Sequence, residues 1–532
     1  MRRGLVVLLV LGLVLRLAIL ASPLGELDAD EAVVGLMARH IAFEGERPVF
    51  YYGQPYVGSL EAFSAAPFFR VFDSSTLVLK LVPTVYSIGF VGLSALLARR
   101  LFGTGPALAT AAYLALPPSM WAVWSTKARG GYAELLFLGE ALLLVSIWWA
   151  DLPAGRRAAR GAFLWGLLAG LAIWTHLLAV VYLLPSGVYL LLRRARAWFG
   201  HEAGEAGLAL LATAIGMLPL LIDNAVGGFS TLRSLLQPPD LPLDPLAQLL
   251  RFLRVGVPVL AGLGQPTTSA AMFDADWLTR PAGHLPVAVL FLLLCGLALV
   301  PHRASLRALV TSGSSARRVP VAYRLHTTTA SSGVDPAPAL LLLLVVCVPP
   351  VVALTRFGFF VSEPRYALPL YAAVPLAIGS AWRLPRPGAT LVVVGLLALN
   401  IWSLLSTDVR LWRPEDALDS TAATRAELVQ FLVGQDRHQM YTDYWIGYPI
   451  MFETRETVLA YVISGGFNRY LPPADNVQRT PNAVWVFEPD SEPEQEFLEA
   501  LRAVGGRARM QEVAVYRIYA DVEPIDLLRP PR

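Results

Sequence analysis

Long apolar segments recur along most of this 532-residue chain, and they constrain its fold more than any other feature. Each holds about 16–20 apolar residues, enough to cross a hydrocarbon core of about 30 Å as a helix. Hydrophobic residues make up 55% of the chain and charged residues 16%, whereas soluble domains carry roughly 25% charged residues. The mean hydropathy of +0.54 likewise indicates a largely apolar chain. These values predict a polytopic α-helical membrane protein.

Hydropathy predicts about eleven transmembrane helices. The first occupies residues 4–22, where a retained helix is preferred over a cleaved signal peptide. The others are predicted at 77–98, 105–122, 132–150, 161–174, 177–192, 206–222, 285–301, 338–355, 365–382 and 389–406. Basic clusters flank the stretch 161–192 on both sides, so this stretch must turn back on itself. The predicted turn is at Trp174, Thr175 and His176.

The positions of the arginines predict the orientation of these spans. If the spans alternate, every cluster falls on one face of the membrane: 2–3, 99–100, 156–160, 193–196, 303–324 and 383–386. Basic loops stay in the cytoplasm, so the amino terminus is predicted to be cytoplasmic. The first loop (residues 23–76), the loop 223–284 and the carboxyl-terminal region are then outside. The expected location is the inner or plasma membrane.

The composition changes after residue 406, which divides the chain into a predicted membrane domain (1–406) and a small extracytoplasmic α/β domain (407–532). In the second domain we expect helices at 422–434 and 492–504 and strands at 439–444, 457–462, 483–487 and 512–519. This region lacks glycine-rich nucleotide-binding motifs, and it lacks cysteine or clustered histidine for a metal. Its aromatic stretch 441–448 fits either a core segment or a saccharide platform.

Three acids, Asp28, Asp30 and Glu31, open the first loop directly after the first span. A helical run follows at 32–43, which would place Asp30 and Glu31 at a helix N-terminus, where the helix dipole favours carboxylates. Simple capping explains such a pair. The alternative is a general base that accepts a proton from an attacking hydroxyl at the membrane surface.

Cationic side chains are predicted on the same outer face as these acids. Lys127 and Arg129 lie in the loop between the third and fourth spans, and Arg356 and Arg365 lie between the ninth and tenth. Such cations could hold the phosphate of a lipid-linked sugar and stabilise it as a leaving group. Each of these cations, taken alone, could also serve as an anchor at the membrane–water interface.

Other polar residues near the outer face are candidates for lining a substrate cavity. Arg16 interrupts the first span, where it either snorkels to the interface or pairs with an acid of the next loop. The candidates are Arg16, Tyr52, Gln54, Tyr56, Glu61 and His176.

Two stretches resemble the GT-C superfamily of membrane glycosyltransferases, at LVLRLAIL…LDADEA…ARHIAFEG and at EPRYALPLYAAVPLAIGSAW, together with the K-A-R-G-G-Y loop. They are most similar to the protein mannosyltransferase and aminoarabinose transferase type, called family 39-like in bacteria. The resemblance implies transfer of a sugar from a polyprenyl-phosphate donor on the outer face, usually with inversion. It also implies that Asp30 is the base, Glu31 its partner, and Arg365 with Tyr366 a contact for the donor phosphate.

The expected protein is therefore a hexosyl- or pentosyltransferase whose acceptor is a glycan, a lipid or a protein, with membrane lipids as further partners. No cofactor, metal or nucleic acid is predicted, although outer-loop acids could bind a divalent cation. The alternatives are a lipid-sugar transporter or flippase, a non-catalytic scaffold for cell-envelope assembly, and an oligosaccharide ligase with a diphosphate-linked donor.

Overall fold

The computed structural model describes residues 1–198, 203–237, 244–264, 302–312, 334–355, 364–412 and 419–525. The part up to residue 412 is helical, and the part from residue 419 combines helices with a five-stranded sheet. This confirms the predicted class, a polytopic α-helical protein with a small α/β domain at its carboxyl end.

The α-helices of the membrane domain have the following bounds. They are α1 Arg2–Leu20, α2 Ala29–Arg39, α3 Leu60–Phe72, α4 Thr76–Phe102, α5 Thr104–Ala115, α6 Ser119–Trp124, α7 Tyr132–Asp151, α8 Arg156–Thr175, α9 Val180–Trp198, α10 Ala203–Gly216, α11 Leu218–Val226, α12 Ser230–Leu236, α13 Pro245–Arg251, α14 Val257–Leu260, α15 Arg303–Ser312, α16 Pro338–Leu354, α17 Val374–Ala381 and α18 Arg386–Leu405.

Six of the described helices are long and apolar enough to cross a membrane, and a bent pair would make a seventh. The six are α1, α4, α7, α8, α18 and the stretch Leu177–Arg194, which includes most of α9. The bent pair is α10 with α11, whose axes differ by 65°. These correspond to seven of the predicted spans. Another coincides with α16, which is shorter, and the predicted span 285–301 lies outside the described residues.

Proline divides two predicted spans into shorter pieces. The span 105–122 comprises α5 and α6, which are separated at Pro117 and Pro118. The span 365–382 comprises a 3₁₀ helix, Arg365–Ala373, followed by α17. Proline lacks an amide donor and clashes with the preceding turn, so a continuous α-helix stops there.

Both expectations for Arg16 are wrong. Its guanidinium is fully buried where α1, α4 and α5 meet, so it neither snorkels nor reaches an acid of the first loop. Arg16 Nε donates to Ser87 Oγ (2.8 Å), and its Nη atoms donate to the carbonyls of Gly12, Leu114 and Ala115. Because these groups surround the guanidinium, Arg16 links α1, α4 and α5 by hydrogen bonds and does not line a cavity.

The first loop folds back into the protein as two helices. Asp28 precedes α2, a π-helical turn (His40–Glu44) follows it, and α3 returns the chain to the membrane domain. Ten of the eleven residues of α2 are buried, and the exception is Asp30. The helix therefore presents one carboxylate while the rest of its surface is packed.

Between residues 419 and 525, the part of the carboxyl-terminal domain that the structure describes, there are four α-helices and five strands. They are α19 Ala422–Gly434, α20 Tyr444–Glu453, α21 Leu471–Arg479, α22 Glu492–Ala503, β1 Gln439–Asp443, β2 Leu459–Ser464, β3 Val484–Phe487, β4 Arg507–Val513 and β5 Tyr516–Glu523. The strand order is β2-β1-β3-β5-β4, with β1 parallel to β2 and β3 and with β5 antiparallel to its neighbours. The predicted strand 512–519 is instead a hairpin of β4 and β5, and α20 and α21 were not predicted.

One hydrophobic core joins this domain to the first loop. Val33 and Leu36 of α2 belong to the same buried cluster as Ile450 and Phe452 of α20. Gly35 of α2 lies against Phe452, because a Cβ atom at this position would be 2.5 Å from the Phe452 ring. The carboxyl-terminal domain is therefore docked on α2, which brings it to Asp30.

Candidate functional site

The N-terminus of α2 is a capping box formed by Asp28 and Glu31. Asp28 Oδ1 accepts from the Glu31 amide (3.1 Å), and Glu31 Oε2 accepts from the Asp28 amide (3.2 Å). These reciprocal bonds satisfy two otherwise unpaired helix amides. The predicted helix start is confirmed, and capping accounts for part of what these two acids do.

Glu31 is also the anion of a fully buried ion pair. Both of its carboxylate oxygens lie 2.6 Å from Lys80 Nζ in α4, and Oε1 accepts from the Ala128 amide (2.9 Å). The side chain has no solvent exposure. Glu31 therefore ties α2 to α4 and to the segment 125–131, and the geometry fits a positioning residue better than a group that meets substrate.

Asp28 forms ion pairs with two of the cations that were predicted to bind the donor phosphate. Its Oδ2 lies 2.9 Å from Lys127 Nζ and 3.2 Å from Arg129 Nε. Burial alone would raise the pKa of Asp28, but Arg129 and Lys127 outweigh it and hold that pKa well below its usual range. Lys80 and Lys127 are the two lysines of the whole sequence, and both contact acids at this helix terminus.

Asp30 is the acid that reaches solvent, with 22% of its side chain exposed. Arg129 Nη2 lies 3.4 Å from Oδ2, and Arg469 Nη2 lies 3.5 Å from Oδ1. The Tyr444 hydroxyl donates to Oδ1 (2.7 Å), and the Tyr51 hydroxyl donates to the Asp30 carbonyl (3.1 Å). Residues of both domains thus surround an accessible carboxylate.

Aromatic rings connect this group to Arg365 and Tyr366. The guanidinium carbon of Arg129 lies 5.6 Å from the centre of the Trp124 ring, and that of Arg365 lies 5.9 Å from the same ring. Tyr132 contacts Trp124 on one side (ring centres 5.0 Å apart) and Tyr366 on the other (6.3 Å). The predicted phosphate ligands therefore form one continuous group, except that Arg356 lies outside the described residues.

His176 adjoins the same group at the turn between α8 and α9, as predicted. Its ring centre lies 5.0 Å from that of Tyr132, and its Nδ1 accepts from the Leu178 amide (3.0 Å). Burial, with a smaller effect of the positive charge on Arg365, lowers the pKa of His176 to about 4. The imidazole is therefore neutral at neutral pH.

Glu61 supports the segment that carries Lys127 and Arg129. It is buried, and its Oε2 accepts from the amides of Gly130 (2.9 Å) and Gly131 (3.0 Å). Burial and the nearby Glu134 carboxyl raise the pKa of Glu61 well above its usual range. These two hydrogen bonds fix the backbone of the segment that carries Lys127 and Arg129.

Three of the predicted cavity residues lie in the turn after α2, and no direct contact with Asp30 is shown for them among the described residues. The Tyr52 ring stacks on Tyr470, and its hydroxyl contacts Glu46. Gln54 and Tyr56 are half-buried in a turn closed by the bridge between Phe50 and Gly58. The stretch Gln54–Tyr56 also packs on α12, because Thr231 donates to the Pro55 carbonyl.

A cleft opens beside Asp28 and Lys127. The 3₁₀ helix Pro23–Gly25 and Leu27 form one wall, and Trp412 and Trp445 contribute aromatic surface. Trp445 belongs to the aromatic stretch 441–448, whose tyrosines are buried core residues. The core interpretation is therefore confirmed for the tyrosines of this stretch, while Trp445 lines the cleft.

Sequence reasoning missed several residues of this group. Tyr444 and Arg469 come from the carboxyl-terminal domain, where neither belongs to a recognisable motif. Lys80 lies inside a predicted span, and a lysine there is expensive unless it is paired. Together with the scarcity of lysine in the chain, that cost was a signal that could have identified Lys80.

No protein-family model matches the sequence, and no curated protein sequence is significantly similar to it. Solved structures do match in fold. ArnT from Cupriavidus metallidurans, bound to undecaprenyl phosphate, superposes with a TM-score of 0.58 at 13% identity, over 99% of both chains. The oligosaccharyltransferase of Archaeoglobus fulgidus superposes with a TM-score of 0.50 at 13% identity, over 97% of this chain and 73% of its own.

These likenesses extend over nearly the whole chain, so they include the first loop, the membrane helices and the carboxyl-terminal domain. Both neighbours are GT-C proteins. The chain accordingly has the fold of the GT-C membrane glycosyltransferases.

Proposed function

We propose that this protein transfers a sugar from a polyprenyl-phosphate donor to an acceptor hydroxyl at the outer face of the membrane. The observation that carries the proposal is the position of Asp30, the single residue of α2 that is not buried, beside Arg129 and Arg469. The GT-C fold supports the same reaction class, since one neighbour of this fold was solved with undecaprenyl phosphate.

In the proposed step, the acceptor hydroxyl loses its proton to the Asp30 carboxylate while its oxygen attacks the anomeric carbon. The bond between that carbon and the phosphate oxygen breaks, and its electron pair leaves with the polyprenyl phosphate. Attack and departure on opposite sides of the carbon would invert its configuration. The product is a new glycosidic bond, and the proton remains on Asp30 until solvent removes it.

The cluster of cationic side chains suits the leaving phosphate. Four cations, Lys80, Lys127, Arg129 and Arg469, contact the three carboxylates of Asp28, Asp30 and Glu31. Arg365 lies beside the same group, against the Trp124 ring. Guanidinium groups bind phosphate oxygens with charge-assisted hydrogen bonds. Arg129 and Arg365 are the proposed phosphate ligands, with Lys127 and Tyr366 beside them.

The cleft beside Asp28 and Lys127 adjoins the proposed site. Trp412 and Trp445 on its walls provide flat apolar surface, which packs well against the apolar face of a sugar ring or against a prenyl chain. The acceptor would approach from the aqueous side of this cleft.

The test is transfer in proteoliposomes, with a panel of polyprenyl-phosphate sugars as donors. Asp30→Asn should reduce kcat by about 100-fold or more, the usual loss when a catalytic base is removed. Asp73→Asn is the matched control, because Asp73 is an exposed acid of the same loop that pairs with Arg455. Full activity of Asp30→Asn would exclude the proposed role. Transfer by the wild type from diphosphate-linked oligosaccharides alone would contradict the proposed donor class.

A further inference from the structure

His40, Glu44 and Glu456 bring three metal-binding side chains together where the first loop meets the carboxyl-terminal domain. One ligand atom from each residue lies within 4.8 Å of the other two. His40 Nε2 is 3.0 Å from Glu456 Oε2 and 3.9 Å from Glu44 Oε1. Tetrahedral Zn²⁺ with bonds of about 2.0–2.1 Å places neighbouring ligand atoms about 3.3 Å apart. The observed spacings lie on either side of that value.

The hydrogen bond that His40 Nδ1 makes determines whether Nε2, on the other side of the ring, carries a proton or a lone pair. The Tyr52 hydroxyl donates its one proton to Glu46 Oε2 (2.5 Å), and His40 Nδ1 lies 2.9 Å from the same hydroxyl oxygen. Nδ1 must therefore carry a proton and donate it to Tyr52. The Nε2 lone pair then faces carboxylate oxygens, so a positive species must lie between them, either a second proton or a metal ion. Metal-binding histidines usually donate their other ring N–H in this way.

The surrounding charge favours a cation. Glu44, Glu46 and Glu456 carry three negative charges, and Arg39, whose Nη1 is 3.9 Å from Glu456 Oε2, carries one positive charge. Two negative charges are left over. The Glu44 side chain is 53% exposed and that of Glu456 is 20% exposed. An ion can therefore enter from solvent and keep a water molecule as its fourth ligand.

We propose that His40 Nε2, Glu44 and Glu456 bind one divalent transition-metal ion at this junction. A single proton on Nε2 would satisfy Glu456 alone, whereas an ion would bridge both glutamates. One imidazole with two carboxylates is a ligand set that suits Zn²⁺ and its neighbours in the first transition row.

The ion would hold the two domains together close to the candidate active site. Glu456 lies in the turn after α20, and α20 begins at Tyr444, which donates to Asp30. Binding of the ion between this turn and the end of α2 would stabilise the docked position of α20. The metal site does not depend on the proposed reaction, because its residues do not contact the Asp30 group and its test measures metal.

The test uses the full chain, purified in detergent without a polyhistidine tag and stripped with EDTA. After addition of Zn²⁺ and removal of the excess, elemental analysis should find one zinc per chain, and the thermal unfolding midpoint should rise. Glu44→Gln and Glu456→Gln should each weaken Zn²⁺ binding by about tenfold or more. Glu44 is largely exposed, so its variant should fold even if the buried His40→Gln variant does not.

His438→Gln is the matched control. His438 Nε2 also faces one carboxylate, Asp436 Oδ1 at 3.2 Å, and no third ligand joins that pair among the described residues. This variant should bind Zn²⁺ as the wild type does. The proposal is wrong if the stripped wild type binds no zinc. It is equally wrong if Glu44→Gln and Glu456→Gln bind zinc with unchanged affinity.

Discussion

Asp28, Asp30 and Glu31 are neighbours in sequence, yet each contacts a different set of cations. Asp28 binds Lys127 and Arg129, and Glu31 is enclosed with Lys80. Asp30 is the most exposed of the three acids. The difference arises because a helix turns by about 100° per residue, so acids that are adjacent in the chain face different parts of the protein. Asp30 can then contact a substrate, while Asp28 and Glu31 stabilise the surrounding structure.

The buried ion pair gives the first prediction. Glu31→Gln should destabilise the protein by about 3–5 kcal/mol, because Lys80 would keep a buried charge without its counter-ion. The double variant Glu31→Gln/Lys80→Met should recover part of that loss, since it removes both charges. Thermal unfolding in detergent measures both. A Glu31→Gln variant as stable as the wild type would contradict the structural role assigned to Glu31.

His176 gives a prediction about pH. The unfolded chain binds a proton at His176 near pH 6.5, whereas burial lowers the folded pKa to about 4. The unfolded state therefore gains protons first, and stability is lost as the pH falls from 6.5 towards 4, by up to about 3 kcal/mol. His176→Asn keeps an acceptor for the Leu178 amide but does not titrate, so its stability should fall less over this range.

Unfolding at pH 8 is the control for this measurement, because His176 is neutral there in both states. Any difference between wild type and variant at pH 8 reports packing and is subtracted. If the two proteins lose the same stability between pH 6.5 and pH 4, His176 does not titrate as the structure implies.

Among the elements, the segment 125–131 between α6 and α7 matters most to the candidate site, because it carries both Lys127 and Arg129. It ends in two glycines with left-handed backbone, Gly130 at φ +80° and Gly131 at φ +83°. Glu61 accepts from both of their amides. This conformation is easy for glycine and costs other residues about 1–2 kcal/mol. The two glycines therefore shape the segment that presents the cations.

Gly131→Ala should reduce transfer by about tenfold or more, because small displacements of a binding group cost large factors in rate. The added Cβ would lie 2.9 Å from Thr175 Cγ2 in addition to the backbone strain. Gly45→Ala is the matched control, since Gly45 has a similar left-handed backbone (φ +79°, ψ +13°) but no neighbour within 4 Å of a Cβ. It should cost similar backbone strain and leave transfer unchanged. Equal losses of transfer in the two variants would point to a general effect on stability.

At the scale of the whole molecule, the carboxyl-terminal domain completes the environment of Asp30. Arg469 Nε donates to the Tyr444 hydroxyl (2.6 Å), and that hydroxyl donates to Asp30. Both residues reach Asp30 because α20 packs on α2. The domain is therefore expected to contribute to the reaction, in addition to any binding of the acceptor.

Arg469→Met should lower kcat by about tenfold or more, since charge-assisted contacts around a reacting group are among the strongest polar interactions in a site. The control is Arg507→Met, which removes an exposed arginine of the same domain that pairs with Glu523. Steady-state transfer by the two variants, reconstituted at equal density, provides the comparison. Unchanged kcat in Arg469→Met would place the domain outside the reaction.

Much of the fold and part of the site could be predicted from the sequence. The apolar spans, the helix start after Asp28, the turn at His176 and the helices at 422–434 and 492–503 agree with the structure. The structure also places Lys127, Arg129, Arg365 and Tyr366 in one group with Asp30. Proline breaks inside two spans were visible in the sequence but were outweighed by hydropathy, which averages over a window and does not register single residues.

The sequence by itself determined the class of the protein, because hydropathy, capping residues and turn residues act over a few positions of the chain. Only the tertiary structure decided which polar residues meet. Glu31 pairs with Lys80, 49 residues away, and Asp30 with Tyr444, 414 residues away. Such partners depend on how helices and domains pack, and a local pattern carries no record of that packing. The same packing left Asp30 accessible and buried Glu31, although the two acids are adjacent.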